Sequence, residues 1–181
     1  MAILLLMRHA KSSWADQVRG DRLRPLNARG RSDARLMAKW LADEGLTPDN
    51  VIMSDAARAV ETWEFMAPTF PGAGATSRPE LYMAGTEGLI SLLRSTAENT
   101  KTLLLIGHEP GISNTALQIS REPFAPGIRT SMDRFGTANI AVIKLHDGNW
   151  SKLRRNAGTC TRLVRPADLK TVARHNSVSA S

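Results

Sequence analysis

Four side chains offer chemistry: Arg8, His9, Arg58 and His108. Arg8 and His9 follow an unbroken apolar run, Ile3-Leu4-Leu5-Leu6-Met7. His108 follows a second run, Thr102-Leu103-Leu104-Leu105-Ile106, through Gly107. Arg58 stands in the first turn of a helical pattern that succeeds a third, shorter run, Val51-Ile52-Met53, ended by Ser54-Asp55. Two guanidiniums supply fork-shaped donors matched to a tetrahedral oxyanion, and two imidazoles add a possible nucleophile and a further donor. If the four converge, they describe a site for a doubly negative phosphoryl group.

Taken singly, each residue also has an ordinary role. A histidine at a strand end can be hydrogen-bonded structure. Arg8 can snorkel from the core, and Arg58 can pair with Glu61 or Glu64 on its own helix. The joint reading rests on a repeated arrangement, in which a buried strand ends in polar groups and a helix follows. His146 and His175, in a hairpin and in the tail, read as solvated. The single cysteine, Cys160, has no metal-ligand spacing around it and reads as inert structure.

The elements that position these groups can be read in outline. Short apolar runs without polar interruption predict strands buried on both faces, and open α/β sheets place ligands at the carboxyl ends of such strands. Asn27 has the character of an N-cap, after which Met37, Trp40 and Leu41 recur at helical spacing as far as Gly45. A second helix runs from Ala56 towards Pro68, a third covers Glu87 to Ser95 and a fourth Ile112 to Ile119. The stretch from Pro68 to Pro79 reads as a loop, and Arg121 to Thr137 as a long loop bordering the site. Ala138 to Leu145 is strand-like, and Asp147-Gly148 followed by Trp150 to Leu153 predicts a hairpin ending in an edge strand. Strands alternating with helices imply a three-layer α/β/α sandwich on a mostly parallel central sheet, in one domain over residues 1–166, with a tail over 167–181 whose end has little to bury.

Bulk composition narrows the function. The chain has 181 residues, enough for a single core. Its formal net charge of +7 would permit nucleic-acid binding, but the basic residues are scattered and aromatics make up only 5%. No stacking platform is visible, so attraction to acidic and phosphorylated partners is the better reading. With a strand pattern directly after Met1 and no leader or bilayer-length apolar run, a cytoplasmic location is expected, with neither membrane nor nucleic acid as partner.

Four motifs in register extend this reading. Arg8-His9-Ala10-Lys11-Ser12-Ser13-Trp14, Arg24-Pro25-Leu26-Asn27-Ala28-Arg29-Gly30, Ser54-Asp55-Ala56-Ala57-Arg58-Ala59-Val60-Glu61-Thr62 and Ile106-Gly107-His108-Glu109-Pro110-Gly111 resemble the histidine phosphatase superfamily, the phosphoglycerate mutase-like proteins, and within it the SixA-type phosphohistidine phosphatase branch. The resemblance covers nearly the whole chain, with Ala10 where the family usually has glycine and Ala15 where an asparagine often follows the tryptophan. It implies that His9 is a nucleophile transiently phosphorylated in line, that Arg8, Arg58 and His108 hold the equatorial oxygens, and that Ser12 contacts phosphate. It implies no metal or other cofactor, because the arginines supply the positive charge. Arginines beside His9 would keep it neutral.

The general acid that ester-cleaving relatives use has Glu80 as its candidate, although Glu80 can equally pair with Arg78. A phosphohistidine substrate asks less of such an acid, since a departing imidazole can take up its own proton near neutral pH. The expected function is therefore hydrolysis of phosphohistidine in a signalling or phosphotransfer protein. The alternatives are a small-molecule phosphomonoesterase and a phosphate-binding module without turnover.

Overall fold

The computed structural model describes residues 2–14 and 20–171. Ala15, His175 and the end of the tail lie outside the described residues. Six strands form one sheet: β1 (Ile3–Arg8), β2 (Asn50–Ser54), β3 (Gly74–Arg78), β4 (Thr102–Gly107), β5 (Ile140–Leu145) and β6 (Gly158–Val164). Their order is β3-β2-β4-β1-β5-β6. The first four strands of that order run parallel, while β5 is antiparallel to β1 and β6 to β5.

The helices are α1 (Ala28–Asp43), α2 (Ala57–Met66), α3 (Thr86–Arg94), α4 (Gly111–Ile119) and the short α5 (Ile128–Met132). Alternation along the central strands divides the core in two. Leu4, Leu6, Leu103 and Leu105 face one layer with Leu89, Leu93, Ile112 and Ile119 of α3 and α4. Leu5, Met7, Leu104 and Ile106 face the other with Met37, Leu41 and Trp63 of α1 and α2. A strand that buries both faces cannot alternate apolar with polar residues, which is why β1 and β4 are continuous apolar runs. Each fully buried leucine contributes about 1.5–3 kcal/mol, so the strand ends that carry Arg8 and His108 are firmly anchored. This is the expected three-layer α/β/α sandwich.

Local structure departs from the sequence expectation at four places. The stretch from Pro68 to Pro79 is not all loop: its second half is β3, a parallel edge strand whose five residues are all exposed and carry no apolar signal. The last strand is β6, not Trp150–Leu153. Trp150 and Leu153 are instead buried in an irregular segment where the indole Nε1 donates to Thr100 O at 2.9 Å. Arg121 to Thr137 contains α5, which buries Ile128 and Met132. Residues 166–171 are helical, and Lys170 Nζ donates to the buried Asp33 of α1, so ordered packing continues past the expected domain end.

Two glycines allow the close approaches on which the site depends. A Cβ on Gly30, in the first turn of α1, would lie 2.1 Å from Lys11 O, and one on Gly111 would lie 2.2 Å from Ala84 O. No side chain fits at either position. The loops after β1 and β4 are thereby pressed against their neighbours. Asn27 caps α1 as expected, its Oδ1 accepting from Gly30 N at 2.8 Å.

Candidate active site

At the carboxyl ends of β1, β2 and β4 lies an open cleft of about 300 Å³. Arg8, His9, Arg58 and His108 line it together. Its floor is buried: His9, Arg58 and His108 are all little exposed. The ordinary alternatives for the arginines are excluded by the contacts. Glu61 accepts from Leu26 N at 2.7 Å rather than from Arg58, and Arg8 directs NH1 to Phe135 O at 2.9 Å.

Hydrogen bonds assign the protons of both imidazoles. His9 Nδ1 lies 2.8 Å from Ala10 O, which can only accept, so Nδ1 carries the hydrogen. His9 Nε2 is then a bare lone pair, and it accepts from Arg58 Nε at 3.1 Å. His108 has the opposite tautomer. Its Nδ1 faces Arg58 NH2 at 3.4 Å, so Nε2 donates to Ser54 Oγ at 2.8 Å. Burial first, then the charges of His108, Arg58 and Arg8, outweigh the Ala10 hydrogen bond and lower the His9 pKa to about 3. For His108, burial and then Arg58 lower it to about 4. His9 is therefore neutral at physiological pH, as expected, but burial is the leading cause and the arginines come second.

Thr62 binds the two halves of the floor. Its Oγ1 donates to Arg58 O one turn back at 2.6 Å and accepts from Ala10 N at 3.0 Å. The loop after His9 is thus fastened to the helical turn that carries Arg58. Ala10 is fully buried and is not among the residues with positive φ, so glycine is not required there.

The structure separates Glu80 and Ser12 from the cleft. Glu80 is exposed on a 3-10 turn with its nearest charge partner Arg78 at 3.8 Å, and it does not line the cleft. Ser12 is buried where its backbone bridges to Leu26, and it too is absent from the lining. The carboxylates that do line the cleft are Asp21 and Glu109.

Asp21 Oδ2 accepts from Arg58 NH2 at 2.9 Å and from Tyr82 OH at 2.8 Å, and Oδ1 accepts from Arg24 Nε at 2.9 Å. Burial raises the Asp21 pKa, but Tyr82 and the two guanidiniums outweigh it and hold the carboxyl below its usual range. Glu109 accepts from Ser113 N at 3.1 Å and from Ser113 Oγ. Burial raises its pKa despite those bonds and the nearby Arg8. Burial likewise lowers the Arg8 pKa, with Glu109 opposing and Arg58 adding to the effect. Arg8 Nε and Arg24 NH1 are buried donors without a partner, so two guanidiniums at the cleft retain unused hydrogen-bonding capacity.

Glu109 had a sequence signal, since it directly follows His108. Arg24 opens a quoted motif without an assigned role. Asp21 and Tyr82 gave none, because loop packing alone brings them in. Away from the cleft, Cys160 is buried, which pushes its thiol pKa up to about 12, and His146 is exposed with Nε2 2.8 Å from Thr159 Oγ1. Among the described residues no group of three or more His, Cys, Asp or Glu side chains is placed to hold a metal ion.

The chain is similar to known proteins over most of its length. The model of the histidine phosphatase superfamily (branch 1) matches residues 4–82. A Mycobacterium tuberculosis protein is 36% identical over 161 residues, spanning 87% of this chain and 96% of that one. The phosphohistidine phosphatase SixA of Escherichia coli is 30% identical over 171 residues, spanning 92% and 96%. Among solved structures, the SixA protein of Nakamurella multipartitia superposes with a TM-score of 0.80 at 26% identity, covering 91% of this chain and 96% of that one. A protein histidine phosphatase SixA complexed with tungstate superposes at 0.74 with 25% identity, covering 92% and 99%. The chain belongs to the histidine phosphatase superfamily, branch 1, among its SixA-like members.

Proposed function

We propose that this histidine phosphatase hydrolyses phosphohistidine carried by a signalling or phosphotransfer protein, through a phosphoenzyme on His9. The observation that carries this reading is the His9 tautomer. With Nδ1–H committed to Ala10 O, Nε2 presents its lone pair to the cleft between the guanidinium of Arg58 and the ring of His108.

Nε2 attacks phosphorus as the P–N bond to the substrate imidazole breaks, and the departing imidazole takes a proton from solvent. Water then attacks the phospho-His9 intermediate, the His9–phosphorus bond breaks, and inorganic phosphate leaves with His9 restored. Arg8 and Arg58 offset the charge on the equatorial oxygens, and preorganised donors in a buried site contribute most of what phosphoryl transfer requires. Arg58 Nε, which occupies the His9 lone pair in the free enzyme, turns to a phosphoryl oxygen when substrate enters. The tungstate bound by a SixA relative is a tetrahedral oxyanion of the same shape, which supports an oxyanion pocket here.

The position of Glu80 favours phosphohistidine over esters, because no carboxyl from that turn reaches the cleft. A small phosphate ester remains the second reading on account of Glu109, the one cleft carboxyl whose pKa is raised and which could hold a proton for an alkoxide. The test is phosphate release from a histidine-phosphorylated phosphotransfer domain and from a panel of small phosphate esters, with the His9→Ala protein as blank. Faster turnover of the phosphodomain is expected. Preference for an ester, lost in the Glu109→Gln variant, would replace this reading with the second, and binding without release from either class would make the chain a phosphate-binding module.

A further inference from the structure

Three large apolar side chains stand exposed among the described residues: Trp14 at 62%, Leu23 at 59% and Met83 at 56%. Isolated exposed apolar residues are normal on any protein. Two of these three line adjoining depressions and the third stands on the turn between Asp21 and Arg24, which line both. Met83 lines the cleft itself, and Trp14 lines an adjoining depression of about 170 Å³ whose walls Asp21 and Arg24 are shared with the cleft. Leu23 ends the 3-10 turn that begins at Asp21.

The positions of all three are fixed by the surrounding contacts. Met83 has φ 54, a left-handed conformation that non-glycine residues rarely adopt unless their surroundings enforce it. On its two sides, Tyr82 bonds Asp21, and Ala84 O packs on Gly111. The guanidinium of Arg24 stacks 3.6 Å from the Trp14 ring centroid. Arg22 holds the Leu23 turn by pairing with Asp55 and lying 4.8 Å from the Tyr82 ring centroid. Among the described residues Arg22 is thus paired with Asp55 and Arg24 with Asp21, while Leu23 and Met83 beside them keep their side chains exposed.

We propose that this rim docks the protein part of the substrate: a phosphoprotein whose phosphohistidine is flanked by apolar surface residues. This rests on the phosphohistidine reading given above. Because His9 and Arg58 are buried at the floor, a protein-borne phosphoryl group reaches them only if its own surface comes to lie on the rim. The dianion then meets the guanidiniums while its apolar neighbours cover Trp14, Leu23 and Met83. A free amino acid or small ester occupies the cleft and makes no use of Leu23, which lies outside its lining.

The test compares two substrates with the same scissile P–N bond, a histidine-phosphorylated phosphotransfer domain and free 3-phosphohistidine. The variants are Leu23→Ser and Leu23→Gln. Met83 and Trp14 are left intact, because Met83 lines the cleft and the Trp14 ring supports Arg24. Either variant is expected to raise KM for the phosphodomain roughly tenfold, while kcat/KM for free phosphohistidine stays within about twofold of wild type. Equal losses on both substrates, or no loss on either, would overturn the docking role while leaving phosphohistidine hydrolysis standing. Wild type that turns over both substrates with equal kcat/KM would overturn it too. So would a wild-type dimer that the variants dissociate with activity unchanged, since the rim would then serve a second copy of the chain. Wild type that releases phosphate from neither would remove the phosphohistidine reading and the docking role with it.

Discussion

The floor and the rim of the cleft are built on opposite terms. At the floor, His9, Arg58 and His108 are buried and joined by hydrogen bonds of 3.1 and 3.4 Å, with Thr62 clamping the β1 loop to α2. At the rim, Trp14, Leu23 and Met83 are exposed, while Arg22 pairs with Asp55 and Arg24 with Asp21. Burial at the floor keeps two imidazoles neutral and the guanidiniums poorly hydrated, which suits transfer of a charged group. Exposure at the rim does nothing for that chemistry and suits recognition of a larger partner. A small molecule needs the floor alone, so the two regions predict different sensitivities to mutation.

The largest expected effect is at the floor. His9→Ala removes the attacking lone pair and should lower phosphate release by at least about a thousandfold on every substrate. Arg58→Ala should cost about 100- to 1,000-fold in kcat, since it withdraws donors from the transferring group and exposes the His9 lone pair to water. A steady-state assay of both variants, on protein-borne and on free phosphohistidine, would show losses independent of substrate size. A loss confined to the protein substrate would erase the distinction between the two regions.

Next in size is the support beneath the floor. Gly30→Ala forces a methyl group against Lys11 O and should destabilise the fold by roughly 1–3 kcal/mol. Calorimetry should register this as a fall in Tm of several degrees, and an unchanged Tm would mean that the β1 loop relaxes freely.

The pH dependence of stability separates the regions more finely. An unfolded histidine titrates near 6.5, whereas His9 and His108 titrate near 3 and 4 in the folded chain. Between these values the unfolded chain binds more protons, so the stabilisation is fully present above about pH 6.5 and is lost as pH falls towards 4. His108→Gln should lose less Tm between pH 7.5 and pH 5 than wild type does, by a few degrees. Equal slopes would show that His108 titrates in the native protein as it does in the unfolded chain.

The smallest expected effect is at the boundary between floor and rim. Asp21 holds Arg58 and Arg24 with a carboxylate that competes with phosphoryl oxygens for the same donors. Asp21→Asn should tighten inorganic phosphate binding by roughly 3- to 10-fold, the scale of one exposed carboxylate. Titration calorimetry measures this directly, and weaker binding would recast Asp21 as the group that orients Arg58.

What the sequence made legible follows this same division. The floor was readable because β1 and β4 bury both faces, so continuous apolar runs delimit them and the polar residues after each run mark the site. Arg58 was readable by its place after a third such run. β3 was not, because Gly74-Ala75-Thr76-Ser77-Arg78 is an exposed edge held by backbone pairing to β2, which leaves no apolar pattern. Trp150 and Leu153 suggested a strand because they are apolar, yet they are buried through an indole hydrogen bond to Thr100 rather than through sheet pairing. Asp21 and Tyr82 meet across 61 positions of sequence, and only the folded loops reveal that the Tyr82 hydroxyl donates to the Asp21 carboxylate. Glu80 carried the right chemistry on a turn that points it to Arg78 and the solvent.

The most direct test is to trap the enzyme during turnover. Rapid quenching with a 32P-labelled, histidine-phosphorylated phosphotransfer domain should yield a chain bearing acid-labile, base-stable label on the peptide that contains His9, formed and lost at rates compatible with kcat and absent from His9→Ala. Phosphate release at the normal rate with no label on the chain, or with label on any other residue, would contradict a His9 phosphoenzyme.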